Sequence, residues 1–599
     1  MSVVPARPAP ASAWKPKANP WLIAFVVSLA AFMEVLDTSI ANVALPHIAG
    51  NMGASSDEST WVLTSYLVSN AIILPITGWL VSLLGRRRFF LICLSLFTVS
   101  SLLCGLAPTL AILLISRVIQ GAGGGGLQPM AQAILADTFP PEKRGLAFSI
   151  YSVTAVVAPS IGPTLGGWIT DNYTWRWIFL MNLPVGILAV FLVLTYVEDP
   201  PFLKRLTVRE SKVDYIGFGF LAIGIAFLQI ILDKGQEEDW FGSNFILTLS
   251  IISVVCLVSL VIWELRVKEP ILDIRLFKNL NFATSSLMMF MVGAASFSTT
   301  VLMPQFLQSL MGYSAQSAGM VLSAAAIILL IELPLVGQLA GRIQARYLMA
   351  FGWAMLTIAM FFSTRRVDLE ISFASATWLR IAQYVPIGFI FIPATMVAYL
   401  GIPQEKSNAV AGLVNFVRNM GSSVGTSAVT TILARRAQAH QVMLASHTSL
   451  SNPYLRDSAV SLATRLRQGG VGRAQTQAYG RIYESMQNQA SVLSYIDAFW
   501  MLGIAAGVMF YYPFCSRGTI RVAHEGECSH ISALRNAAGS AQRPHWKISS
   551  TPRRTRLIAV LRPSPRLPPV IISFQTGRKS DAMLLWSLAG MRSRLHQTN

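Results

Sequence analysis

Runs of twenty or so apolar residues, separated by short polar loops, repeat along almost the whole chain. A helix needs about 20 such residues to cross about 30 Å of hydrocarbon. Fourteen runs meet that length: 21–45, 59–82, 88–107, 109–136, 145–169, 176–197, 214–233, 244–264, 282–308, 316–340, 347–363, 376–400, 407–433 and 494–514. Between the last two lies a long polar stretch, 434–493, rich in Gln, Ala, Ser and Arg, with helix-compatible segments at 456–467 and 474–490. After residue 514 the pattern stops, and Ser, Arg, Pro and His follow without a helical period.

The loops alternate in charge. Residues 83–88 (Arg86, Arg87, Arg88), 137–144, 198–213, 265–281 and 341–346 are basic, whereas the intervening loops carry Asp57 with Glu58, Asp171, or Asp233 with Glu237, Glu238 and Asp239, and one, 309–315, has no charge. Lys and Arg accumulate on the cytoplasmic side of membrane proteins. Both termini are therefore expected inside, in a multi-pass protein of the cytoplasmic membrane, with 434–493 outside. The loop with Arg365 and Arg366 is the main short-loop exception.

Composition excludes several classes. The chain of 599 residues is 53% hydrophobic and 13% charged, with mean hydropathy +0.53, against about 25% charged for soluble domains. Its net charge of +19 is not a nucleic-acid signal, because residues 515–599 hold 14 Lys and Arg against 3 Asp and Glu. The tail reads as a disordered extension or as a basic arm for anionic lipid. No cleavage site follows the first span. The five cysteines have neither metal-ligand nor disulfide spacing. No nucleophile–base set appears, so no enzyme is expected. Gly121 to Gly126 lacks the Gly-Lys-Ser/Thr ending of a phosphate loop. No cofactor is expected, and the energy source would be an ion gradient.

Charged residues inside apolar spans mark functional paths. Glu34 and Asp37 stand three apart, on one face of the first span. At 1.5 Å per residue they lie ~20 and ~24 Å from its start. A carboxyl at that depth can load and release a proton as access alternates. Arg117 lies ~12 Å into the fourth span from its other end, near the Asp37 level. An Asp37–Arg117 pair that protonation opens would be a switch; the alternative is a brace. Glu332 is a further carboxylate, for cationic substrate or a second proton, or else snorkelling to the interface. Asp137, Asp233, Glu264 and Asp497 lie at span ends and read as boundary residues. Asn42, Gln120, Gln305, Asn415 and Arg418 could line a cavity, with Phe290 and Phe297 in an adaptable apolar wall.

Two stretches repeat. Gly78 to Arg88 ends the second span and Gly337 to Arg342 the tenth, each a Gly-x-Leu followed by basic residues. Parallel repeats of this kind occur in facilitator folds. The expected organisation is a segment 1–20, a six-helix bundle 21–197, a linker 198–281 with two inserted helices, a six-helix bundle 282–514 including 434–493, and the tail 515–599.

Ala158 to Gly167 reads A-P-S-I-G-P-T-L-G-G and resembles the fifth-helix antiporter signature of the major facilitator superfamily, through Gly162, Pro163, Gly166 and Gly167. Leu36-Asp37-Thr38, Asn42 to Pro46, Gly78 to Arg88 with Gly85, Arg86 and Arg87, Arg117 to Gly124, Trp175 to Phe179 with Asn182, Leu232 to Gly235, and Leu276 to Lys278 extend the match. Over about 20–514 the chain resembles the fourteen-helix drug:proton antiporters of EmrB/QacA type. The resemblance implies an all-α major facilitator fold, alternating access, and export of lipophilic compounds against protons. It also implies a periplasmic adaptor and an outer-membrane channel as partners, with 434–493 on their side. The glycine–proline segment would be the close-packed bend between the halves. Ser82 stands where the cytoplasmic motif often has Asp, which puts the usual Asp–Arg gate contact in question. The rival readings are a proton symporter that imports a small organic solute and a membrane scaffold that presents the tail.

Overall fold

Short polar signals fix where the apolar runs become helices. Ser55 and Glu58 form a reciprocal capping box at the start of the second span, Asn19 caps the first beside Pro20, and Thr109, Asn279, Ser314 and Ser372 cap later ones. The computed structural model describes residues 16–200, 214–267, 270–446, 453–465, 471–515, 546–551, 554–561 and 570–575. The chain divides into two units, Met1–Ile520 and Arg521–Asn599.

The first unit is all-helical. Its helices are α1 (Pro20–Met52), α2 (Ser56–Leu84), α3 (Arg86–Leu106), α4 (Leu110–Gly124), α5 (Leu127–Thr138), α6 (Pro141–Ser152), α7 (Ala158–Asn172), α8 (Trp177–Leu180) and α9 (Asn182–Tyr196). They continue with α10 (Tyr215–Lys234), α11 (Asn244–Arg266), α12 (Leu280–Ser309), α13 (Ala315–Ala340), α14 (Ala345–Thr364), α15 (Phe373–Ala398), α16 (Ser407–Ser446), α17 (Pro453–Arg465) and α18 (Val471–Cys515). α4 and α5 make one membrane span, interrupted at Gly125 and Gly126, and α6 and α7 make another through a π-helical turn at Val153–Val157. Neighbouring helices and serine or threonine side chains can re-satisfy backbone groups freed at such breaks.

Among the described residues thirteen helices are long and apolar enough to cross a membrane. The fourteenth expected run, 407–433, falls in α16 and is not one of them. Asn408, Asn415 and Arg418 lower its hydropathy, yet these side chains are buried, and the helix packs on α12, α2, α5 and α18. α16 is thus a polar-faced helix within the bundle. It runs on to Ser446, and α18 begins at Val471, so the described part of 434–493 is helical.

One group of helices packs α1 against α7, α5 and α9, and α3 against α4 and α9; the other packs α12 against α16 and α15, and α14 against α15 and α18. The halves meet where α13 lies on α6 and α7, and where α16 lies on α2 and α5. α10 and α11 pair with each other, and α10 also touches α2 and α16. Asp233 on α10 accepts a hydrogen bond from Thr64 of α2, and Gln229 accepts one from Ser423 of α16 at 3.0 Å. These bonds dock the inserted pair on both halves.

At the end of the bundle that carries the basic loops, α6 and α13 cross backbone to backbone. A Cβ on Gly337 would lie 2.7 Å from the Gly145 carbonyl oxygen. A side chain at either position would hold the halves apart.

The second unit contains an antiparallel sheet in the order β1 (Trp546–Thr551), β2 (Arg554–Leu561), β3 (Val570–Gln575). Lys547 pairs with Ile558 and Leu557 with Phe574. These strands lie in the tail that composition reads as a disordered extension or a basic arm. Runs such as Val570-Ile571-Ile572 favour the pleated backbone, and the other tail residues lie outside those described.

Gly145→Leu should lower the thermal midpoint of the purified protein, since overpacking costs about 1–3 kcal/mol. Gly50→Leu, where nothing lies within 4 Å, should leave it unchanged or raise it.

Candidate functional site

The centre of the first half is built around Asp37 on α1. Its Oδ2 accepts from Arg117 Nη1 at 2.7 Å, and its Oδ1 accepts from Asn182 Nδ2 at 2.6 Å and Gln120 Nε2 at 3.1 Å. Both charged side chains are sealed, at 0% and 1% exposure. Arg117 also donates to Gln120 Oε1 at 2.7 Å and to the Val62 carbonyl at 3.0 Å. Its guanidinium stands 4.3 Å from the centroid of the Tyr66 ring. Four helices therefore converge on this ion pair, α4 and α9 on the Asp37 carboxylate of α1 and α2 on Arg117. A buried pair of this kind is compensated as far as its remaining donors and acceptors are met: Asp37 uses both oxygens, and of the Arg117 nitrogens Nη2 alone is without a partner.

Glu34, one turn earlier, has other partners. Oε1 accepts from Tyr66 Oη at 2.8 Å and Asn70 Nδ2 at 3.1 Å; Oε2 accepts from Gln128 Nε2 at 2.6 Å. The same Gln128 receives a hydrogen bond from Arg418 of α16. Beside it Asn415 donates to Gln132 and accepts from Tyr151 Oη at 2.8 Å. The chain Glu34–Gln128–Arg418 thus crosses from the first half to the second. Asp37 is enclosed within one half, whereas Glu34 is joined to both.

A second buried pair closes the basic end. Arg86 Nη2 donates to Asp137 Oδ2 at 2.6 Å and to Asn408 Oδ1 of α16 at 3.1 Å. Asp137 Oδ1 accepts from Ser407 Oγ at 2.9 Å. Asp137 is therefore no boundary residue: its side chain is 1% exposed. Ser82 turns back to the Trp79 carbonyl at 2.7 Å, and Asp137 supplies the carboxylate for Arg86. Arg87 donates its backbone N–H to Asp199 at 2.7 Å. Gly85 (φ 82°) joins α2 to α3, and a Cβ on Gly78 would lie 2.8 Å from Ala409 Cα.

The other expected boundary acids are also engaged. Glu264 is buried and accepts from the Leu272 N–H at 3.4 Å. Asp497 of α18 pairs with Arg436 at 2.6 Å and His440 at 2.8 Å, both on α16. Glu332 lies against Gly388 of α15, and both its carboxylate oxygens are buried without a hydrogen-bond partner.

The antiporter-like segment has two faces. A Cβ on Gly166 would lie 3.0 Å from Ile40 Cγ2, and one on Gly162 would collide with Ser39. These glycines close on α1 of the same half, contrary to the expected bend between halves. The contact between halves falls to the opposite face, where Thr164 and Ser323 hydroxyls stand 2.6 Å apart. Pro163 sits inside α7 and Gly167 is buried. Of the candidate cavity residues, Gln120, Asn415 and Arg418 join the networks above. Phe290 and Phe297 are half-buried, and Asn42 and Gln305 are exposed.

The sequence marks neither Gln128 nor Arg380 as a site residue, and it marks Asp137 only as a boundary residue. Asp137 hid at a span end, and Gln128 carries no charge to mark it. Arg380 had a signal: Arg380-x-x-Gln383 on α15 repeats Arg117-x-x-Gln120 on α4.

Residues 27–426 match the family model of the Major Facilitator Superfamily. The chain is 37% identical over 480 residues to the multidrug export protein EmrB of Escherichia coli, covering 80% of this chain and 92% of that protein. It is 36% identical over 487 residues to the fatty acid resistance protein FarB of Neisseria gonorrhoeae, covering 81% and 92%. The crystal structure of the human organic anion transporter MFSD10 superposes with TM-score 0.52 at 14% identity, over 83% of this chain and all of that one. That likeness concerns the fold alone.

Arg86→Ala and Asp137→Ala should each destabilise the protein by about 3–5 kcal/mol, because each strands a buried charge. The double variant should lose less than the sum, and thermal unfolding of the four proteins in a double-mutant cycle checks this.

Proposed function

The chain belongs to the Major Facilitator Superfamily and is a multidrug exporter of EmrB type, and we propose that it expels lipophilic compounds across the cytoplasmic membrane in exchange for protons. The observation that carries proton coupling is the sealed Asp37 carboxylate, held by Arg117, Gln120 and Asn182 inside the first half. Protonating Asp37 would neutralise it and weaken its hold on Arg117. Arg117 could then lean on Gln120 and the Val62 carbonyl, which it already contacts. Such a change loosens α1 from α4. Glu34 would report the same event to the second half through Gln128 and Arg418.

The contacts at the basic end support a gate that opens when the halves rock apart. Arg86–Asp137, Ser407 and Asn408 are its lock. The alternation of loop charge supports both termini inside. The helical extension of α16 and α18, with α17, then faces outward, where an adaptor of a three-part efflux assembly would dock. The names of the relatives, multidrug export and fatty acid resistance proteins, support lipophilic cargo.

Everted vesicles energised by respiration, followed with a pH-sensitive dye, test the exchange. Lipophilic compounds should trigger proton release with the intact protein, and none above background with Asp37→Asn. Full release from Asp37→Asn would move the proton carrier away from Asp37; silence from the intact protein across the panel would favour import of an organic solute.

A further inference from the structure

The two halves repeat an arginine but not its carboxylate. Arg117 is the eighth residue of α4 and Arg380 the eighth of α15, and each is followed three positions later by a glutamine. Both arginines have no exposed surface. Each stands over a tyrosine ring, Tyr66 at 4.3 Å and Tyr384 at 3.8 Å. Where Arg117 meets Asp37 of α1, Arg380 meets Thr300 of α12, Nη2 donating to Oγ1 at 2.8 Å. Thr300 in turn bonds the Tyr384 hydroxyl at 2.7 Å.

Arg380 is left with two unpartnered nitrogens, where Arg117 has one. Nε and Nη1 of Arg380 have no hydrogen-bond partner, nor has Gln383 Oε1. Gln383 instead donates its Nε2 to Ser363 of α14 at 3.0 Å. One turn before Thr300, on the same helix face, the Ser296 hydroxyl is likewise buried and unpartnered. Among the described residues no carboxylate forms an ion pair with Arg380. A buried guanidinium stays ionised, and an unpaired charge in apolar surroundings is costly. Among the described residues of the second half, none plays the part of Asp37.

We propose that Arg380, with the Thr300 hydroxyl, is the anchor of an anion-binding site in the second half, which takes the carboxylate headgroup of a lipophilic acid or an inorganic anion of similar size. The unpartnered Nη1, beside the Nη2 that holds Thr300, offers the planar edge of a guanidinium to a carboxylate, and an alkyl or aryl body would lie between α12 and α15. The first half would thus carry its own counter-ion and the proton, while the second half takes its counter-ion from solution. As a statement about cargo the proposal rests on the exporter reading; as a statement about binding it needs no proton gradient.

Equilibrium calorimetry on the full chain in nanodiscs, corrected with empty nanodiscs, compares octanoate, octanol and octyltrimethylammonium. The intact protein should bind octanoate at least about tenfold more tightly than octanol, the scale of one charge-assisted hydrogen bond. Arg380→Gln should erase that preference while octanol binding persists. Arg380→Lys should keep part of it, because the charge remains without the fork. If Arg380→Gln does not yield a monodisperse protein, Arg380→Lys and Thr300→Val carry the comparison. Chloride that displaces octanoate from the intact protein, with gluconate inert at equal ionic strength, would name an inorganic ion as an alternative occupant. Octanoate that resists chloride would assign the site to the organic acid. Equal affinity for octanoate and octanol in the intact protein, or equal loss of both in Arg380→Gln, overturns the proposal. Either outcome is separate from Asp37-dependent proton release, which tests the exporter reading.

Discussion

A charge taken out of water must find a partner inside the protein, and that constraint organises this bundle. Asp37 and Arg117 are both sealed, so α1, α2, α4 and α9 are held where Asn182 and Gln120 satisfy both oxygens of Asp37 and where Gln120 and the Val62 carbonyl take up Nη1 and Nε of Arg117. Glycines in α4 make that closeness possible: a Cβ on Gly124 would lie 3.2 Å from Glu34 Cγ. The glycine run that superficially resembles a phosphate loop is thus packing that lets this span close on α1, α2 and α3.

The same constraint separates the duties of two neighbouring carboxylates. Asp37 is satisfied from within one half. Glu34 reaches the other half through Gln128 and Arg418. At the basic end Arg86 and Asp137 share partners from the start of α16. α16 therefore supplies polar contacts at two depths, which explains why it is less apolar than the other spans.

Much of this was legible in the chain. Period and length placed the helices, loop charge separated the two ends of the bundle, and intramembrane charge singled out Glu34, Asp37, Arg117 and Arg418. Where the reading failed, an interaction distant in sequence was responsible. Asp137 looked solvated because it ends a span, yet Arg86 and Ser407 bury it. The glycines of α7 suggested contact between halves, but Ser39 and Ile40 of α1 occupy them. α16 was counted as an ordinary span, and only its neighbours show why asparagines and an arginine are tolerated there. Arg380 was legible in principle, as the second copy of a four-residue pattern, but only once the halves were aligned at that level.

α16 has one more property, that of a rod. It is a single helix of 40 residues, and its tip at Ser446 lies ~42 Å beyond Arg418 at 1.5 Å per residue. Tilting it by about 10° at the level of Arg418 would swing that tip through ~7 Å, by the same geometry. Arg436 and His440 tie it to Asp497 of α18, so the two rods would swing together. Small rearrangements around a buried hydrogen bond would be delivered, enlarged, to the far end of the molecule, where a neighbour could feel them as a push.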